Sequence, residues 1–61
     1  MTRSEARKVA KALLRRGYHN PTIMEDIESQ TIVVKTENRC WMTRTVRSPD
    51  ELHELLQSEH A

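Results

Sequence analysis

Several residue types that small proteins use for stability are scarce in this chain of 61 residues. Cys40 is the only cysteine, which rules out an internal disulfide and is more typical of a reducing compartment than of a secreted protein. Phenylalanine is absent, so one tryptophan and one tyrosine are the only aromatic side chains available to the core. No apolar run is longer than three residues, which predicts neither a membrane-spanning helix nor a secretory signal. We therefore expect a single small cytoplasmic domain without a membrane partner.

Glycine and proline are also scarce, and their positions mark the ends of two predicted helices. Gly17, the only glycine, fits the left-handed residue that commonly follows a helix. At the start of the same helix, Thr2 and Glu5 have the spacing of a capping box. Apolar residues recur between these signals at helical spacing and predict a helix at about residues 3–16. They are Ala6, Val9, Ala10, Leu13 and Leu14.

A second helix is predicted at about residues 49–58. Ser48 suits the N-cap, Pro49 the first helical position and Glu51 the third. Leucines at helical spacing supply the apolar stripe of this helix, namely Leu52, Leu55 and Leu56. Each predicted helix therefore has a start signal and an apolar face of its own.

Three strands are predicted between the helices, at about residues 22–28, 31–36 and 39–47. Tight turns between consecutive strands favour an antiparallel meander. The predicted fold class is α+β, a two-layer sandwich in the order α-β-β-β-α over residues 1–61, with both helices on one face of the sheet. The double-stranded-RNA-binding fold has this order of elements, although a shared fold does not establish a shared function.

The register of the last two strands decides which side chains face solvent. A two-residue turn after residue 36 would pair Val34 with Trp41, whereas a turn one residue longer would pair Val34 with Met42. A slip of one residue moves every side chain to the other face of the sheet. We favour the longer turn, because it gives an apolar face without threonine. Five residues would then face outward: Arg39, Trp41, Thr43, Thr45 and Arg47.

Charge is distributed unevenly along the chain, although the net charge is only +1. Residues 1–17 carry six bases against Glu5 alone, a net charge of +5. Residues 48–61 carry four acids and neither lysine nor arginine, a net charge of −4. The two helices are therefore opposite in charge. Their charges would largely cancel if the helices packed side by side, and the first helix would offer a free basic surface if they were held apart.

Two groups of residues are candidate binding surfaces. On the first helix a cation recurs every four residues, which fits either a phosphate backbone or an ordinary solvated face. On the predicted third strand an aromatic ring lies between two arginines. If exposed, this ring would stack a base or anchor a protein contact, and otherwise it would fill the core. The predicted binding residues are Arg7, Lys8, Lys11 and Arg15 on the helix and Arg39, Trp41 and Arg47 on the strand.

No pattern in the sequence predicts a metal ion, a cofactor or a catalytic group. His19, His53 and His60 lack the spacing of zinc ligands and are interpreted as ordinary surface histidines. Cys40 is interpreted as a small buried thiol. The acids at residues 25–28 are interpreted as a solvated strand edge that limits aggregation.

Residues 13–18, with the sequence LLRRGY, resemble the end of the first helix in HicA-like toxins. These toxins are small RNA-cleaving proteins with a similar length and order of elements. They carry a catalytic histidine in a Gly-Ser-His type segment at the start of the sheet. The corresponding region here, residues 25–28, reads EDIE and contains no histidine, and His19 lies earlier in the chain. The resemblance therefore argues against nuclease activity.

These observations favour a small, non-enzymatic intracellular binding protein. The preferred hypothesis is a regulator or inhibitor of the phage or mobile-element type that acts by protein–protein contact or self-association, because segregated charge favours oriented docking. The alternative hypothesis is a nucleic-acid-binding module, and a weaker third is a small RNase. No small-molecule substrate is expected.

Overall fold

The structure is a computed structural model that describes residues 1–59. The elements are α1 (Arg3–Arg15), β1 (His19–Asp26), β2 (Thr31–Glu37), β3 (Thr43–Val46) and α2 (Pro49–Ser58). The three strands form one antiparallel sheet in the order β1-β2-β3. The predicted α-β-β-β-α architecture is therefore confirmed. The interpretation of His60 as a surface histidine lies outside the described residues.

Both helices cover the same face of the sheet and enclose the core between the two layers. Ala6, Val9 and Leu13 of α1 are almost completely buried, and they pack in one cluster with Val34 and Val46 of the sheet. The predicted leucines of α2 pack against this cluster from the other side but remain only half-buried. The domain thus depends mainly on α1 and the sheet for its buried apolar surface.

Both helices begin at the predicted caps. Thr2 Oγ1 accepts a hydrogen bond from the Glu5 backbone N–H at 3.1 Å, and Glu5 Oε1 accepts one from the Thr2 backbone N–H at 2.8 Å. Ser48 Oγ accepts from the Glu51 backbone N–H at 3.2 Å, and the Glu51 carboxylate accepts from the Arg47 backbone N–H at 2.7 Å. The bonds to the Thr2 and Ser48 hydroxyls satisfy backbone donors that a helix leaves without a partner in its first turn, and the carboxylate bonds fix the residues just before each helix.

The C-terminal end of α1 is closed by a Schellman motif. The Tyr18 backbone N–H donates to the Leu13 carbonyl at 3.0 Å, and the Gly17 N–H donates to the Leu14 carbonyl at 3.2 Å. Gly17 has a φ of +86°, in the left-handed region where a side chain is unfavourable. Tyr18 and Leu13 also share the buried cluster, which is the apolar contact that accompanies this motif.

β1 begins at His19, three residues before the predicted start, and ends at Asp26 rather than at residue 28. The early start includes an irregularity, because the pairing with β2 shifts between His19 and Thr22. Asn20, within the shift, has a φ of +51°. The Thr36 hydroxyl donates to the His19 carbonyl at 2.9 Å and ties this irregular start to β2.

Both predicted pairings of the last hairpin are wrong. Val34 pairs with Val46, not with Trp41 or Met42. The first four residues of the predicted third strand belong instead to a loop at residues 38–42. Val46 thereby joins the core, and Trp41 leaves the sheet.

The physical reason for this loop is the side chain of Asn38. Its Oδ1 accepts hydrogen bonds from the backbone N–H groups of Cys40 at 2.9 Å and Met42 at 3.0 Å. Its backbone N–H donates to the Met42 carbonyl at 2.9 Å. An asparagine oxygen that acts as a backbone acceptor stabilises a wide loop in place of the tight turn that we predicted.

The second face of the sheet is not covered by a helix in the described part of the chain. Val33 is nevertheless only 2% exposed there, since Met24 pairs beside it. Arg47 and Asp26 form an ion pair over this face, with 2.7 Å between Nη1 and Oδ2. The predicted outward direction of Arg47 is therefore correct even though the predicted strand pairing is not, because the favoured and observed registers differ by an even number of residues.

Gly17→Ala is expected to destabilise the domain by about 1–2 kcal/mol, the usual cost of a left-handed conformation for a residue with a Cβ. An added Cβ would also lie 3.0 Å from Nε of Arg39 and displace that side chain. Urea unfolding followed by circular dichroism measures the change. Ser4→Ala, at an exposed position of α1, is the control and should leave stability almost unchanged. Equal stability of Gly17→Ala and the parent would contradict this account.

Candidate functional site

The antiparallel order of the elements brings several of the predicted binding residues to one end of the molecule. α1 ends there, β1 starts, β2 and β3 are joined by the loop at residues 38–42, and α2 ends. We call this region the loop end. Basic and aromatic side chains collect at it: Arg15, Arg16, His19, Arg39 and Trp41.

Trp41 is largely exposed at the loop end, yet its ring makes a defined contact there. Its indole stacks on the imidazole of His19, with 3.7 Å between the ring centroids and 6° between the planes. The residue remains 61% exposed, and its φ is +63°. A bulky residue in the left-handed region is an outlier that the surrounding structure must hold in place. Of the two positions left open by the sequence, Trp41 therefore has the exposed one, and its ring has one covered face and one open face.

Arg39 connects the loop to α1 instead of lying on a strand. Its Nε and Nη2 donate to the Arg16 carbonyl at 3.0 and 2.8 Å. Its side chain lies across Gly17, where only the missing Cβ leaves room. The guanidinium thus caps the C-terminal end of α1, where the helix dipole favours a cation.

Glu59 holds the end of α2 to the same region. Its carboxylate accepts hydrogen bonds from the Tyr18 hydroxyl, from Asn38 Nδ2 at 2.7 Å and from Arg44 Nε at 3.1 Å. Asn38 is only 8% exposed, so both ends of its side chain are used in the interior of the loop end. Glu59 therefore links the loop to both helices, because Tyr18 directly follows the C-terminal turn of α1.

The surroundings of this carboxylate shift two pKa values. Burial, together with the hydrogen bond to the negatively charged Glu59, raises the pKa of Tyr18 to about 12. Burial also raises the pKa of Glu59, but the hydrogen bonds from Tyr18, Asn38 and Arg44 outweigh it, so the net pKa is below the usual value. Glu59 is therefore a charged group at neutral pH.

A groove of about 460 Å³ opens beside these contacts, between the end of α1, the loop and α2. Its walls combine cations and an acid with an apolar floor from α2. Cys40 lies in this wall and is exposed, so its predicted burial is wrong. The lining residues are Arg16, Tyr18, Asn38, Arg39, Cys40, Leu56 and Glu59.

The basic face of α1 leads away from the loop end along the helix. Its predicted binding residues Arg7, Lys8, Lys11 and Arg15 are all exposed. Among residues 1–59 the ion pairs are Arg44–Glu59 and Arg47–Asp26, and neither involves α1. The acidic helix lies on the same face of the sheet, yet its carboxylates Glu51 and Glu59 contact other elements. The positive charge of α1 is therefore not neutralised by direct contacts with α2.

The predicted strand surface of Arg39, Trp41 and Arg47 does not exist as a unit. Arg39 and Trp41 lie at the loop end, whereas Arg47 follows β3 at the opposite end and pairs with Asp26. Trp41 stacks on His19, while Arg39 binds the Arg16 carbonyl at the end of α1. The structure therefore brings two residues of the predicted strand surface, Arg39 and Trp41, to the end of the molecule where the predicted helix surface ends.

Three residues at the loop end were not identified as site residues from the sequence. Asn38 and Glu59 act through contacts with distant residues, and no local pattern marks them. For His19 the sequence did offer a weak signal. It lies between the helix-ending glycine and the predicted first strand, a position that places a side chain near the edge of the sheet. The ring of His19 stacks on Trp41. It lies at the opposite end of β1 from residues 25–28, the region compared above with the histidine segment of HicA-like toxins.

Chemical alternatives at this site are limited within residues 1–59. No group of three or more histidine, cysteine, aspartate or glutamate side chains is arranged there to hold a metal ion. No helix among these residues has the length and apolarity needed to cross a membrane.

No protein-family model, no curated protein and no solved structure matches this chain. Function must therefore be inferred from the charge and geometry of the site itself.

The raised pKa of Tyr18 predicts an alkaline titration of tyrosinate absorbance with a midpoint near 12 in the folded chain and near 10 in urea. Tyr18 is the only tyrosine, so the signal has one source. Because the pKa of Tyr18 is higher in the folded chain, its contribution to stability is fully present below the unfolded pKa and is lost as the pH rises through the folded pKa. Glu59→Gln should lower the midpoint, and a native midpoint near 10 would contradict the buried contact.

The lowered pKa of Glu59 predicts the opposite behaviour in acid. Its contribution to stability is present above the ordinary glutamate pKa and is lost as the pH falls through the lowered value. Glu59→Gln should therefore be less stable than the parent at neutral pH, with a difference that shrinks in acid. Urea unfolding at a series of pH values measures this difference. A difference that does not change with pH would show that the charge of Glu59 is unimportant.

Proposed function

We propose that this protein is a non-enzymatic nucleic-acid-binding module that contacts a phosphate backbone with the basic face of α1. The observation that carries the proposal is the row of exposed cations on α1, which has no ion pair to α2 within the described residues. Such a row lowers the stability of the helix unless a polyanion neutralises it, since like charges four residues apart repel.

The spacing of this row supports a linear polyanion as the partner. Arg3, Arg7, Lys11 and Arg15 recur every four residues and so advance by about 6 Å per step along one side of the helix. Lys8 widens the row. Lysine and arginine that neutralise successive phosphates release condensed counterions, which provides most of the affinity in sequence-independent binding.

The near-neutral net charge of +1 does not oppose this proposal, because five of the nine acids lie at the end of the molecule opposite the loop end. Glu25, Asp26 and Glu28 belong to the end of β1 and the turn after it, opposite the loop end. Asp50 and Glu51 begin α2 at that same opposite end. Segregation of this kind orients a polyanion on the α1 side of the molecule.

Protein–protein contact is the second candidate function, as a regulator or inhibitor. The specific observation in its favour is that Trp41 and its neighbour Met42 are 61% and 53% exposed. Aromatic residues and methionine are enriched in protein interfaces. The α1 cations would then serve to orient an acidic partner.

The proposal predicts binding to generic DNA and RNA at low salt, with an affinity that falls steeply as salt is raised. The triple variant Arg7→Gln, Lys11→Gln and Arg15→Gln should reduce the slope of log K against log salt by about 2 to 3, since each lost phosphate contact removes about 0.7 to 0.9. Fluorescence anisotropy of labelled oligonucleotides measures both quantities. Circular dichroism verifies that each variant is folded.

The chain offers a matched control for this experiment. Lys11 and Lys35 are both exposed lysines, but Lys35 lies on β2 and points away from the helices. Lys11→Gln should reduce the slope by about 0.7 to 0.9, while Lys35→Gln should leave it unchanged. Equal effects of the two variants would indicate a response to net charge alone. Absence of any binding near 50 mM salt, a typical low-salt condition, would overturn the proposal.

A further inference from the structure

We infer that the nucleic acid is single-stranded and that one of its bases stacks on the open face of Trp41. This inference rests on the proposed function and adds the class of nucleic acid and the residue that selects it. It joins two features at the loop end, an exposed ring and the end of a row of cations.

The ring is prepared for stacking on one side only. His19 covers one face of the indole at a centroid distance of 3.7 Å and a plane angle of 6°. The ring of Trp41 nevertheless stays largely exposed. A flat base placed on the open face would extend this stack to three rings. Stacking on an aromatic side chain is tolerant of base identity, since every base has a π-face.

The loop holds the ring outward at a conformational cost. Trp41 has a φ of +63°, which is rarely adopted by a bulky residue. The Trp41 backbone N–H donates to the Asn38 carbonyl at 2.9 Å, while the Asn38 side chain accepts from Cys40 and Met42 on either side. Glu59 in turn fixes Asn38. Strain maintained by this many contacts around an exposed aromatic ring is the pattern expected of a preorganised binding group.

The ring and the last cations of α1 lie at the same end of the molecule. Arg39 donates twice to the Arg16 carbonyl, so the loop is attached directly to the last turn of α1. Arg15 and Arg16 lie in or next to this turn and are exposed. A strand whose phosphates follow α1 would therefore run toward the loop end, where Trp41 offers a ring for one of its bases.

A single strand fits this surface better than a duplex does. In a duplex each base is already stacked on its neighbours, so an indole at the protein surface has no free base face to contact. In a single strand the bases can be splayed out and stacked on aromatic side chains while the backbone follows a positively charged groove. This protein offers both contacts to such a strand. The ring of Trp41 can stack on a base, and the row of cations on α1 can bind the phosphates.

Tryptophan fluorescence and anisotropy test the inference directly, because Trp41 is the only tryptophan. Oligothymidylate and oligouridylate should quench the fluorescence and bind more tightly than a duplex of equal length. Inorganic polyphosphate, which has phosphates but no bases, should bind through α1 without the stacking quench.

Trp41→Ala is expected to weaken binding of either single strand by on the order of tenfold, the effect of losing one stacked base. The salt dependence and the affinity for polyphosphate should stay unchanged. Trp41→Phe should restore part of the affinity, and Met42→Ala, at an adjacent exposed residue, should have little effect. The tyrosinate titration of Tyr18 verifies that the loop end of each variant is folded.

The possible outcomes separate this inference from the proposed function. If Trp41→Ala binds single strands as tightly as Met42→Ala does, or if duplex is preferred, stacking on Trp41 is overturned while phosphate binding by α1 remains. If no nucleic acid binds near 50 mM salt, both are overturned, and retention of a protein partner that is lost in Trp41→Ala would assign this surface to protein contact.

Discussion

The side chain of Asn38 controls the part of this structure on which the candidate site depends. By accepting two backbone hydrogen bonds it converts a turn between β2 and β3 into a loop at residues 38–42. The loop shifts β3 so that Val46 pairs with Val34 and enters the core. The same loop releases Trp41 from the sheet to the surface. One amide group thereby links the packing of the core to the exposure of the aromatic ring.

Glu59 extends this dependence to both helices. A helix of ten residues whose leucines are only half-buried gains little from its own packing. Its end is held instead by a charged hydrogen-bond network with Tyr18, Asn38 and Arg44. Charge-assisted bonds of this kind are stronger than neutral ones. In a domain that buries so little apolar surface, such contacts between elements account for order that the core alone would not provide.

The charge layout has the same origin in topology. The antiparallel order places the end of α1 and the hairpin loop at one end of the molecule, with many acids at the other. The contrast between a basic and an acidic helix was visible in the sequence, but their side-by-side packing does not neutralise α1. The α2 acids that form defined contacts, Glu51 and Glu59, are used for capping and for the loop network. The α1 cations consequently remain available to a polyanionic partner.

The sequence by itself determined both helices, their caps, the order of the elements and the basic face of α1. These depend on local signals, since a cap acts within one turn and an apolar stripe repeats every three or four residues. Only the tertiary structure decided the pairing of Val34, the position of Trp41 and the separation of Arg39 from Arg47. Strand pairing depends on loop length, and that length was set by hydrogen bonds of Asn38 within the loop and to Glu59, 21 residues away. The position of Asn38 in the sequence, just before a strand-like run, gives no indication of such distant contacts.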